Sequence, residues 1–198
     1  MSEATDRMQR LRAGVEAASA TYLEVDDWAQ VAAHARAHGD VIALAPSLAV
    51  ARPELVATIS DTGARVVIPD GDDPAAAVAD VPVAVVAAEL AIAESGSLLI
   101  AEHALGDRVV TMLCQRLIQV VAERDVVDRL ESAADWLSAR AGQPGFASLM
   151  TGPSRTADIE RSLTIGVQGP DVVDVLVVRD PEGGSTPGGD RDDEEPRS

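Results

Sequence analysis

The chain has 198 residues, enough for one domain or for one domain with a tail. Its 33 acidic residues against 16 basic ones leave a net charge of −17, which repels phosphate backbones and anionic lipid and argues against nucleic-acid or membrane binding. Every basic residue is arginine, so a Schiff-base lysine, a P-loop lysine and a lysine general base are excluded. The single Cys114 excludes an intrachain disulfide, a cysteine-built zinc site and a self-contained iron–sulfur cluster. Because Cys114 sits in an apolar run with Val109, Val110, Met112 and Leu113, it reads as a buried structural thiol. Aromatics are only 2 % of the chain, which leaves the core to Ala, Val, Leu and Ile.

In chain order, residues 3–20 read as a helix, with Met8, Leu11, Val15 and Ala18 on one face. The opening residues, with Asp6, Arg7 and Arg10, lack the apolar stretch of a signal peptide. The apolar run from Val81 to Ala88 is too short to span a bilayer, so a soluble cytoplasmic protein is expected. A second helix is predicted from an Asp26 N-cap to a Gly39 C′ residue. Val41–Ala45 follows as a strand, 53–62 as a helix and Arg65–Pro69 as a strand. This alternation predicts an α/β domain with parallel pairing.

Val83–Ala88 reads as a buried strand. Leu90–Ala93 and Leu98–Ala101 read as short strands joined by a turn at Glu94-Ser95-Gly96-Ser97. A short helix over 108–114 and a strand over Leu117–Ala122 precede the clearest helical pattern, Asp125–Arg140, with Val126, Leu130, Ala133, Ala134 and Leu137 as its inner stripe. Ala147–Met150 reads as a strand running into Thr151-Gly152-Pro153-Ser154, a helix is predicted from about Arg155 to Leu163, and Val173–Val178 is the last strand. Residues 179–198 carry four Gly, three Pro and seven acidic residues against three Arg, with no Val, Leu, Ile or aromatic. That composition predicts a disordered acidic tail after a domain of residues 1–178.

Three blocks could carry chemistry. In the first, Gly152-Pro153-Ser154-Arg155-Thr156, the predicted helix start offers free N–H groups, two hydroxyls and a guanidinium fork to a carboxylate or phosphate. The same residues also read as an ordinary helix cap. In the second, Glu94 beside Ser95 and Gly96 is a candidate general base or nucleophile, or else the acidic residue of a solvated hairpin. In the third, Gly166-Val167-Gln168-Gly169-Pro170 brackets a polar side chain with turn residues and reads as a structured loop before the last strand. Of the histidines, His34 and His38 lie four apart and could share a helix face, but no third ligand is expected nearby, and they read as an exposed helix end. His103 reads as a surface turn. Trp28, Tyr22 and Trp136 read as isolated packing residues, and Asp26/Asp27 and Asp72/Asp73 as caps and turns.

Taken together, Gly152–Glu160, Gly166–Pro170 and Ala93–Ser97 resemble the signature of the LUD-domain family, which includes lactate utilization proteins; Ala93-Glu94-Ser95-Gly96-Ser97 matches the family's Ala-Glu-Thr-Gly-Thr turn with hydroxyl swaps. The resemblance implies a single α/β domain of the NagB/RpiA/CoA-transferase-like fold. It also implies a part in oxidising L-lactate to pyruvate within an iron–sulfur oxidase system, with the clusters on partner subunits and no cofactor held by this chain. Gly152, Ser154, Arg155, Thr156, Ser95, Gly96 and Gln168 would then hold a small carboxylate or other anion, with Glu94 as acid or base. Gln168 departs from the histidine expected in many relatives, and it cannot replace a histidine in proton transfer. Two alternatives stand beside this reading: a stand-alone acyl- or CoA-transfer enzyme with Glu94 as nucleophile, and a non-catalytic interaction module. Association of the chain with itself is compatible with all three.

Overall fold

The computed structural model describes residues 3–141, 145–157, 163–165 and 169–179. Its centre is a six-stranded parallel sheet in the order β1 (Thr21–Val25), β12 (Val172–Val178), β7 (Arg116–Ala122), β4 (Val83–Ala87), β2 (Val41–Leu44), β3 (Arg65–Val67). The inner strands β4, β7 and β12 are buried along almost their whole length, which explains their apolar runs, interrupted within β7 by Gln119 and within β12 by Asp174. At the edge, β1 buries only Tyr22 and Val25, and this weak pattern left it unpredicted from sequence. A second sheet has the order β8 (Val126–Val127), β5 (Leu90–Ile92), β6 (Ser97–Glu102), β9 (Phe146–Met150), with β6 antiparallel to both neighbours. The chain passes from one sheet to the other at Ala88 and Glu89, whose N–H groups donate to Val120 O and Leu99 O.

Seven α-helices are present among the described residues: α1 (Glu3–Ala17), α2 (Trp28–His38), α3 (Pro46–Ala51), α4 (Pro53–Asp61), α5 (Pro74–Val78), α6 (Leu105–Leu113) and α7 (Glu131–Ala139). Helices α3, α4 and α5 each begin on a proline, where a missing N–H costs nothing. Helix α2 packs on α4 and on strands β1 and β4, burying Val31, Ala32 and Ala35. Helix α1 contacts both sheets through β1 and β8, with Leu11 and Val15 fully buried. Each such side chain contributes about 1.5–3 kcal/mol.

The α/β class and the parallel pairing agree with the sequence reading, but four local expectations do not. Asp27, not Asp26, caps α2 by accepting from Gln30 N–H, and Gly39 is extended rather than left-handed. Helix α1 ends at Ala17, because Ser19 turns with a φ of 65° and Ala20 N–H bonds back to Val15 O. The helical pattern from Asp125 becomes a 3-10 turn and strand β8, and α7 begins only at Glu131. The cause is tertiary: Val126 and Val127 pair with β5, and Arg7 of α1 donates to Val126 O and to Asp128. Finally, no helix starts at Arg155. Residues 155–157 form β10, antiparallel to β11 (Leu163–Ile165). Arg179, placed in the tail by composition, donates to Val25 O and pairs with Glu24; the rest of the predicted tail lies outside the described residues. Among the described residues no helix is long and apolar enough to cross a membrane.

Candidate functional site

In a parallel sheet with covering helices, ligands settle beyond the carboxyl ends of the strands. Here that end holds a crevice of about 270 Å³ between the last residues of β4 and β7, the α2 N-terminus, the α3–α4 junction and α7. Two arginines face it, each laid over an indole. The Arg52 guanidinium lies 5.0 Å from the Trp28 ring centre and that of Arg140 lies 3.9 Å from the Trp136 ring centre. Arg52 is held by the junction itself, with its N–H bonded to Leu48 O. Arg140 closes the C-terminus of α7, where a cation is favoured by the helix dipole. Their carboxylate partners are loose: Glu54 at 3.5 Å from Arg52 and Glu89 at 3.8 Å from Arg140. A guanidinium oriented by an aromatic face and weakly paired keeps donors for an incoming anion. Arg124 and Asp125 complete the rim.

None of these residues formed a motif. Both tryptophans read as packing residues, and in the sequence Trp28 lies far from Arg52. The only available signal was that a chain with two tryptophans places an arginine four residues after Trp136.

The three sequence blocks do converge, but around α1 and the start of β12 rather than in the crevice. Ser95 Oγ donates to Ser97 Oγ, and Ser97 shares a 2.5 Å hydrogen bond with Thr151. Gly96 rests against Gly14, and Gly152 against Ala18 O. Ser154 N–H donates to Pro170 O, and Gly169 abuts Ser154. Arg155 and Thr156 stand in β10 opposite Ile165 and Thr164, so the helix-start anion site read from the sequence has no helix to supply its N–H groups. Gln168 lies outside the described residues. Glu94 is exposed in the β5–β6 turn, and its carboxylate accepts from Leu130 N–H at 2.6 Å. That hydrogen bond sits at the entrance of α7, the helix that carries Trp136 and Arg140.

At the opposite, amino end of the sheet, Asp174 of β12 has a side chain only 1 % exposed. His34 Nε2 donates to its Oδ2 at 2.9 Å and Arg116 NH1 at 2.6 Å, while Oδ1 is buried without a partner. Burial alone would raise this carboxyl's pKa; the hydrogen bonds from His34 and Arg116 outweigh it and hold the group below its ordinary range. The exposed His38 ring stands edge-on to His34, 4.8 Å between centres. The expectation that no third ligand group stands near these histidines is thus corrected: Asp174 arrives from 140 residues along the chain. Cys114 is buried, and burial pushes its thiol up to about 12, in keeping with a structural role.

An open six-stranded parallel sheet with covering helices and a crevice at its carboxyl end places this chain in the α/β class. The chain belongs to the LUD domain family, whose model matches residues 70–178, more than half of its length. Among its relatives are lactate utilization protein C 1 of Bacillus mycoides (strain KBAB4), 32 % identical over 96 residues, covering 46 % of this chain and 41 % of that one, and lactate utilization protein C of Geobacillus thermodenitrificans (strain NG80-2), 33 % identical, covering 46 % and 40 %. The chain thus spans about two-fifths of the length of these curated relatives. The crystal structure of a DUF162 family protein from Deinococcus radiodurans shares the fold. It superposes with a TM-score of 0.64 at 17 % identity, over 90 % of this chain and 99 % of that one.

Proposed function

We propose that this protein acts in lactate utilization as a component that carries no cluster of its own and holds a small carboxylate, of the lactate or pyruvate class, in the arginine–tryptophan crevice. The single observation that carries this reading is the pair of indole-backed guanidiniums, Arg52 on Trp28 and Arg140 on Trp136, facing one cavity in a chain of net charge −17. Arginine forks match carboxylates in geometry as well as charge, and each indole covers one face of its guanidinium. The relatives' names supply the metabolic context. With one cysteine, buried, this chain cannot by itself ligate an iron–sulfur cluster, so electrons removed from lactate would pass to clusters on partner subunits.

Glu94 enters this reading as a positioning residue for α7, through Leu130. The acyl-transfer alternative needs its carboxylate free to attack a thioester; here that carboxylate is engaged with a backbone N–H. Titration calorimetry with lactate and pyruvate on wild type, Arg140→Ala and Arg155→Ala tests the assignment. Loss of one charge-assisted hydrogen bond, about 1.5–3 kcal/mol, corresponds to roughly 10- to 150-fold weaker binding in Arg140→Ala. Weakening confined to Arg155→Ala would move the anion site to the β10 region. Co-purification with cysteine-rich iron–sulfur proteins tests the partner half of the proposal.

A further inference from the structure

We propose that His34, His38 and Asp174 form a binding site for one divalent transition-metal ion of the zinc type, at the amino end of the parallel sheet and separate from the crevice. Helix α2 sets the two histidines one turn apart on a single face, and β12 brings the carboxylate beneath them. One donor atom from each residue lies within 4.8 Å of the others. A tetrahedral ion with bonds of about 2.0–2.2 Å needs its donors roughly 3.3–3.6 Å apart. The exposed His38 ring has the freedom to close that difference, whereas Asp174 and His34 are already in contact.

The independent indication of a ligand is Asp174 Oδ1. A carboxylate oxygen that is buried and has no partner is costly, and a cation beside it would satisfy it. Oδ2 meanwhile stays with Arg116, which fixes the carboxylate's orientation as an outer partner of a metal ligand does. On binding, the ion replaces the His34–Asp174 hydrogen bond, and the His34 Nε2 proton moves to solvent or to Nδ1. Two imidazoles and one carboxylate suit zinc, cobalt or nickel; magnesium and calcium take all-oxygen sets. Three protein donors leave a fourth position, open to water beside His38.

The experiment uses the full chain, stripped with a chelator. Zn²⁺ is titrated by calorimetry and Co²⁺ by its visible ligand-field absorption. The expected result is one ion per chain. His38→Ala, a substitution at an exposed residue, should weaken Zn²⁺ binding at least tenfold and abolish the cobalt band, while His103→Ala, at the exposed histidine before α6, should change neither. A second variant, Asp174→Asn, should weaken binding comparably if it folds; His38→Ala decides the question if it does not. Absence of saturable one-to-one binding in the wild type would overturn the proposal. So would His38→Ala binding Zn²⁺ as tightly as wild type, which would assign the ion to surface carboxylates. Neither outcome bears on lactate binding at Arg140.

Discussion

Gly14 of α1 and Gly96 of the β5–β6 turn meet backbone to backbone. A Cβ on Gly14 would lie 2.6 Å from the Gly96 nitrogen, and one on Gly96 would lie 2.3 Å from the Gly14 carbonyl carbon. The contact presses the helix into the turn where two of the signature blocks join. In an ordinary helix interior, Gly→Ala stabilises by about 1 kcal/mol. Here the sign should reverse: Gly14→Ala should lower stability by about 1–3 kcal/mol, because only backbone could move out of the way. Urea unfolding of the variant checks this, and an unchanged or raised midpoint would show that the contact yields.

Glu94 distinguishes positioning from acid–base chemistry. Removing the acceptor of Leu130 N–H in Glu94→Ala should cost about 0.5–2 kcal/mol, as loss of a helix cap does. Glu94→Gln keeps a carbonyl acceptor and should retain near-wild-type stability and lactate affinity. If Gln behaves like Ala, or if it alone abolishes turnover in the assembled system, the negative charge itself is at work.

The Cys114 thiol, pushed to about 12 from its ordinary value near 9, is protonated throughout the neutral range. Alkylation at pH 8 should therefore be slow in the folded protein and fast in urea. The native state holds this proton more tightly than the unfolded chain does. The corresponding stability is present in full below about pH 9 and lost as pH rises toward 12. Iodoacetamide modification followed by mass gives the first readout and alkaline unfolding the second; rapid native labelling would contradict the buried placement.

Asp174 supplies the acid limb. Its carboxyl is held below the ordinary range, so its contribution is present above the unfolded value of about 3.9 and lost as pH falls through the folded one. Arg116→Gln removes the 2.6 Å partner, raises the carboxyl's pKa and should shift acid unfolding to higher pH in metal-free buffer. An unmoved acid midpoint would mean that His34 alone sustains the charge.

Much of the architecture was legible because local physics dictated it. The runs at 41–44 and 83–87 are apolar throughout, and those at 116–122 and 172–178 are apolar but for Arg116, Gln119 and Asp174, as strands buried on both faces require; Asp73 caps α5 from its place in an acidic pair. Where local and tertiary preferences conflicted, local reading failed. Val126 fits a helical stripe, yet β5 offered it and Val127 a ladder, and Arg7 a clamp. Arg155 followed a Gly-Pro turn as a helix would, yet its partner strand stood eight residues on.

By itself the sequence determined the α/β class, the family signature, the all-arginine cation set and the single cysteine, because each depends on composition or on contacts between near neighbours. Tertiary structure alone decided which residues share a site. Trp28 with Arg52, Glu94 with Leu130, and His34 with Asp174 are pairings that no periodicity encodes. Only the closing of the sheet, driven by burial of its apolar strands, brings those polar groups within reach of one another.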